Sequence, residues 1–317
     1  MVMRNEHLCQ TVQRLLTVLL FLWIPFLNGC EQKLTDGVQY SYYMDGSRQS
    51  EYSYRQGVKE GPFREYDEAG NVIAEGEIHN GTITEKRMEY YLNGRPKSMT
   101  HYVNGIKEGS AVQYFSGGEV EIERTYKNDK LDGPVKEFST DGGLDVERSY
   151  KDNKLDGITR EYVNGILKYE RIYSADRLNG VSKEFYDNGE IHFEKNFRND
   201  VLDGILKEYD EAGKVIREEK YKNGELVSQK AFYGDGLVMT EELFENGRRS
   251  GLKEYYSSGV LMREQFFADG RPNQINEYYD NGAVMFKKYY AEGLLSRVEQ
   301  YDPNGNFINA QKMIDNR

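Results

Sequence analysis

The side chains of this sequence that could do chemistry are its histidines, its cysteines and a large excess of carboxylates. Outside the first thirty residues the histidines are His79, His101 and His192, and they fall at three different places in the repeat described below. A metal site between His79 and His101 is the remote alternative to plain exposed histidines, so no metal ligand set is assigned. The carboxylates carry a pattern instead: Glu51, Glu75, Glu123, Glu147, Glu170, Glu194, Glu218, Glu241 and Glu264 recur with one period. Acid–base catalysis by paired carboxylates needs two groups in different environments, and a row of equivalent glutamates offers the opposite. The row reads as a solvated face, with Arg124, Arg148, Arg171 and Lys195 as expected cross-strand partners. No phosphate loop, GxSxG elbow, HExxH or calcium-loop motif occurs. The expectation is a chain without catalytic residues or cofactor, one that binds and does not catalyse.

The same period runs through the aromatic residues and settles what must position these groups. One column is Tyr43, Tyr66, Tyr90, Tyr114, Phe138, Tyr162, Phe185, Tyr209, Phe232, Tyr255, Tyr278 and Tyr301, at intervals of 23 or 24 residues. Three or four places after each stands a glycine, from Gly46 to Gly305. A second column follows the first by 11 or 12 residues: Tyr54, Ile78, Tyr102, Tyr126, Tyr150, Tyr173, Phe197, Tyr221, Phe244, Phe267 and Tyr290.

A unit this short cannot hold a helix pair, but it holds a hairpin. Two runs of β-formers are separated by Asn-Gly, Asp-Gly or Ala-Gly, and type I′ turns are expected because glycine, asparagine and aspartate tolerate positive φ. Phe185 to Gly189 and Tyr278 to Gly282 are read as such turns. Val120, Ile122, Arg124 and Tyr126 alternate with Glu121, Glu123, Thr125 and Lys127, which sends the two sets to opposite faces. The expected fold is all-β: an elongated antiparallel meander of about twelve tandem hairpins over residues 37–305, with 306–317 capping the last edge. The aromatic columns are expected to be its spine. Four rings of adjacent doublets, Tyr91, Tyr256, Tyr279 and Tyr289, are expected on the second face as contact residues.

Composition agrees. Apolar residues make up 38% of the chain, with 26 tyrosines, 32 glycines and 6 prolines; this suits a thin sheet with many turns better than one thick core. The formal charge is −11, a balance that repels nucleic acid and anionic headgroups.

Residues 1–29 read as an export signal: Arg4 and Arg14, then the apolar stretch Leu15 to Leu27, too short for a permanent span of about 20 residues. It ends in Leu27-Asn28-Gly29-Cys30, which resembles the lipobox of bacterial lipoproteins. The resemblance implies lipidation at Cys30, with residues 30–36 as a short tether and anchorage to a membrane of the bacterial cell envelope; ordinary cleavage with secretion and an uncleaved anchor are the alternatives.

A second resemblance lies in the repeats. Tyr126-Lys127-Asn128-Asp129-Lys130-Leu131-Asp132-Gly133, continuing to Lys136-Glu137-Phe138, recurs from Tyr150 to Tyr162 and from Phe197 to Tyr209. The string looks like the bacterial variant of the MORN repeat, as found in the YwqK-like antitoxin family. That resemblance implies a hairpin solenoid that binds a partner protein. The expected function is a lipid-anchored envelope scaffold, with an immunity-type role as its sharper form and glycan or peptidoglycan binding as the alternative.

Overall fold

A computed structural model describes residues 36–313; the leader and Cys30 lie outside the described residues. The described chain forms one open antiparallel sheet of 25 strands, in which each strand pairs with its neighbours in sequence. The meander is therefore as expected. The strands run from Gly37–Tyr42 to Phe307–Lys312, and only Asn179 breaks one of them, between Arg177–Leu178 and Gly180–Phe185. Phe307–Lys312 extends the sheet as one further edge strand, paired with Leu294–Tyr301 and exposed throughout.

The hairpins use two turn types where one was expected. At one end of the strands, pairs such as Asn80-Gly81, Asn104-Gly105 and Asn223-Gly224 both have positive φ, the signature of type I′. At the other end, Gly189 donates its N–H to the Tyr186 carbonyl at 3.1 Å and Tyr186 donates to Glu190 at 2.9 Å, and only the glycine has positive φ. That is a type I turn closed by a glycine bulge. Tyr278 to Gly282 folds the same way. The extra residue before the glycine, as in Asp-Asn-Gly, lengthens the loop beyond what a two-residue turn can hold. The same geometry corrects the first column: Tyr43 opens the turn, donating to Ser47, so Tyr42 at the strand end is the counterpart of Tyr66.

Four type I′ turns carry Asp129, Asn153, Asp176 and Asp200 where the others have glycine, at φ of 64 to 70°. Each is held by the preceding repeat. Asp129 donates its N–H to the Lys107 carbonyl and accepts the Lys107 N–H on Oδ1 at 2.8 Å. Asn153, Asp176 and Asp200 make the same double contact with Leu131, Leu155 and Leu178. The acidic residue before the strand's glycine serves the following type I′ turn: Glu60 and Glu108 accept the N–H groups of Asn80 and Asn128 at 2.8 Å, and Asp156 of a Leu-Asp-Gly string accepts that of Ala175 at 3.2 Å. The glycine after it bends the strand. Gly133 has φ 124°, and a Cβ there would lie 3.0 Å from the Thr125 Cβ.

The two aromatic columns lie on opposite faces and at opposite ends of the strands. Tyr126, Tyr150, Phe197 and Tyr221 pair with Leu131, Leu155, Leu202 and Leu226 beside the type I′ turns. The centre of that face holds the thin core, where Phe63, Ala111, Val135, Leu206 and Ile275 are buried. Val135 is buried and sits directly opposite Arg124 on one side and Arg148 on the other. Rings of one column stand two strands apart, about 9–10 Å, outside the 4.5–7 Å of direct ring pairs. The spine is therefore ring against leucine or glutamate, not ring upon ring.

Candidate functional site

Register turns the periodic glutamates into a ladder. Across the sheet the directly opposed residues on one face are Glu123, Lys136, Glu147, Arg160, Glu170, Lys183, Glu194, Lys207, Glu218, Lys230, Glu241, Lys253 and Glu264. Each carboxylate therefore faces cations on both sides except at the ends. Arg160 reaches Glu170 at 2.8 Å and Glu147 at 3.4 Å, and Lys253 and Lys230 approach Glu241 at 3.9 and 3.8 Å. The expected partners were the wrong ones. Arg124, Arg148, Arg171 and Lys195 each follow a ladder glutamate directly, so period two puts them on the other face. There Arg148 pairs with Glu137, Arg171 with Glu161 at 2.5 Å and Lys195 with Glu184 at 2.6 Å, while Arg124 bonds Gln113.

The first aromatic column flanks this ladder and bonds to it. The Tyr90 hydroxyl donates to Glu75 and that of Tyr209 to Glu194, both at 2.6 Å; Tyr278 reaches Glu264 at 3.1 Å. Burial, then the bond to a carboxylate, pushes Tyr90 and Tyr209 up to about 12. In return the Tyr90 hydroxyl, followed by Arg64, holds the Glu75 carboxyl below its ordinary 4.5.

The tyrosines singled out as contact residues have structural work. Tyr91, Tyr256 and Tyr279 lie in the bulged turns, half-buried, and donate their hydroxyls to the carbonyls of Tyr114, Tyr278 and Tyr301 in the next repeat, at 2.7 to 3.0 Å. Tyr43, Tyr186 and Tyr233 do the same. Those three rings are thus not free on the second face, because a turn residue escapes the strand's alternation. Tyr289 does lie within a strand, on the ladder face, with its hydroxyl 3.3 Å from Glu299. Where the turn position is Asp67, Asp210 or Asp302, the side chain caps its own turn instead. His79 is held by Glu60 at 2.8 Å and His101 by the Ser110 carbonyl at 2.9 Å. No group of three or more His, Cys, Asp or Glu side chains is placed to hold a metal among the described residues.

The ladder has one apolar interruption. Between Glu75 and Glu123 the opposed residues are Met88, Met99 and Val112. Beside it a concavity of about 580 Å³ is lined by Val38, Glu51, Ser53, Pro62, Arg64, Glu75, Glu77, Glu85, Lys86, Met88 and Tyr90, with Phe63 and Gly76 at its base. Glu85 has φ 58° within a strand, at the place where Gly61, Gly109 and Gly133 bend neighbouring strands. The carboxylates of Glu77 and Glu85 have no hydrogen-bond or ion-pair partner among the described residues. Sequence reasoning passed over this region, although the signal was there: the periodic glutamates skip from Glu75 to Glu123, and the missing member is Met99.

Comparison with known proteins identifies five of the repeats. Residues 59–80, 107–128, 131–152, 178–199 and 202–223 match the family described as "MORN repeat variant". No curated protein matches the chain. Among solved structures, similarity is found to the TcdB2-TccC3 crystal structure and to its complex with Cdc42, each at 12% identity and a TM-score of 0.19 over 87% of this chain. The Photorhabdus luminescens Tc holotoxin pore carrying TccC3-D651A is similar at 11% identity and the same TM-score. This chain spans 16 to 18% of those much longer chains, a likeness too slight to bear on fold or activity.

Proposed function

We propose, from the five repeats that match the MORN variant, that this chain is a non-enzymatic protein-binding scaffold held at the bacterial cell envelope by a lipid on Cys30. The observation that carries the binding part is the sheet itself. Repeats joined only to their neighbours make long continuous faces in which each column presents one chemistry, the usual basis of an extended recognition surface. Many of the polar groups in those columns are spent on one another: Glu147, Glu170, Glu194 and Glu241 on lysine, arginine or tyrosine, and turn acids on turn amides. That favours a surface that recognises over a site that reacts. The anchor rests on the Leu-Asn-Gly-Cys string and the apolar stretch before it.

The test is recovery of a stoichiometric protein partner from detergent-solubilised envelope, with Cys30→Ser followed in parallel by membrane fractionation. Repeated recovery of no partner removes the scaffold reading, and an unchanged distribution of the Cys30→Ser chain removes the anchor. An immunity-type role, which follows from the family resemblance, predicts that deletion sensitises cells to a toxin. The glycan alternative predicts co-sedimentation with purified cell wall, where the scaffold reading predicts none.

A further inference from the structure

The geometry points to the concavity beside Met88 as the docking site for a partner protein's segment that presents lysine or arginine next to an apolar side chain. This rests on the scaffold reading and specifies its surface. Three independent features meet there. The charge ladder gives way to Met88, Met99 and Val112, so this part of the face lacks the directly opposed charges that run from Glu123 to Glu264. The sheet is hollowed beside them by about 580 Å³, with Val38 and Met88 in the lining. At the same hollow, Glu77 and Glu85 present carboxylates with no hydrogen-bond or ion-pair partner among the described residues, and the four carboxylates of the lining outnumber its two cations, Arg64 and Lys86.

The chemistry of the occupant follows. Methionine side chains are flexible and polarisable and adapt to an irregular apolar surface. Covering them also strips water from the neighbouring carboxylates, which is unfavourable unless the covering group brings positive charge. A chain of net charge −11 attracts such a group and repels a phosphate backbone or an anionic bilayer. A neutral sugar would leave Glu77 and Glu85 desolvated and unpaired. Glu85 also holds a left-handed backbone that its neighbours assign to glycine, and strain of this kind persists where a side chain is needed.

The experiment uses the full chain and three fluorescein-labelled peptides: alternating lysine and leucine, alternating glutamate and leucine, and alternating lysine and serine. Anisotropy titrations should show the first bound about tenfold or more tightly than the others. Glu77→Lys and Met99→Lys should each weaken it about five- to tenfold. Glu85→Gly relieves backbone strain, so it should raise the melting temperature while also weakening the peptide, a combination that a purely structural role would not give. Glu245→Lys, an exposed carboxylate far along the sheet, should leave binding unchanged. Binding that survives Glu77→Lys and Glu85→Gly, or that Glu245→Lys weakens equally, overturns the proposal. If wild type and Glu77→Lys recover the same envelope partner equally well, this docking site falls while the scaffold reading stands; no partner for either chain removes the reading itself.

Discussion

The Tyr279 hydroxyl donates to the Tyr301 carbonyl oxygen at 3.0 Å, across 22 residues of sequence and into the next repeat. Asn281 in the same turn donates to the Pro303 carbonyl at 2.8 Å. The two bonds fasten consecutive bulged turns into a stack. Tyr279→Phe keeps the ring and removes one rung, at a cost of about 1 kcal/mol. Hydrogen exchange should quicken locally around residues 301–306 and stay unchanged around the type I′ turns. Equal quickening throughout the sheet would contradict the rung's local role.

Lys207 stands between Glu194 and Glu218. Lys207→Glu would line up three carboxylates on one face, and like charges directly opposite destabilise a sheet. A loss of about 1–2 kcal/mol is expected at low ionic strength, measured by urea unfolding, with part of it recovered in high salt because these side chains are partly exposed. Lys207→Met should cost less than the charge reversal.

At Asp129 two effects oppose each other. A left-handed conformation is costly for a residue with a Cβ, while the side chain satisfies the Lys107 N–H at 2.8 Å. Asp129→Gly loses the bond and relieves the strain, so it should be nearly neutral. Asp129→Ala loses the bond and keeps the strain, and should destabilise by about 1–2 kcal/mol. Thermal melts of the two variants decide it, and an alanine variant as stable as the glycine one would contradict the hook.

Half-buried tyrosines and the glutamates they bond set the pH window. Tyr52, Tyr90 and Tyr209 are raised in the folded chain from 10 to about 12, chiefly by burial. Their contribution is fully present below pH 10 and is lost as pH rises through 12, because the unfolded chain releases those protons first. Glu75 is displaced the other way; its contribution is present above pH 4.5 and falls as the pH drops through its lowered value. Phenolate absorbance should show a late-titrating class in wild type that shrinks in Tyr90→Phe and Tyr209→Phe.

The strand count, the open meander and the face assignment of residues such as Arg124 and Tyr126 could be read from the sequence, because period two and a fixed repeat length leave few alternatives. Pairing could not. Glu147 is next to Arg148 in sequence but opposite Lys136 and Arg160 in space, and only the register, set by turn length and bulges, says so. The turn types were lost for a related reason: Asn188-Gly189 resembles Asn223-Gly224 in letters, yet one more residue belongs to its loop. Tyr91, Tyr256 and Tyr279 looked like strand residues because they follow one; in a turn the alternation no longer governs where a ring points. The Met88 region is marked in the sequence only by Met99, a residue that breaks the glutamate period where every other signal is one that keeps it.

Asp129 and its kind fasten four repeats to the one before, Tyr279 and its kind six repeats to the one after, and strands pack chiefly against their sequence neighbours. A gene segment encoding one period could therefore be copied or excised in frame without disturbing a distant contact. The new junction would keep the strand pairing of an old one. Length in such a molecule is a freely adjustable quantity, whereas the local departures from the pattern, such as Met99 and Glu85, are what give one stretch of it an individual character.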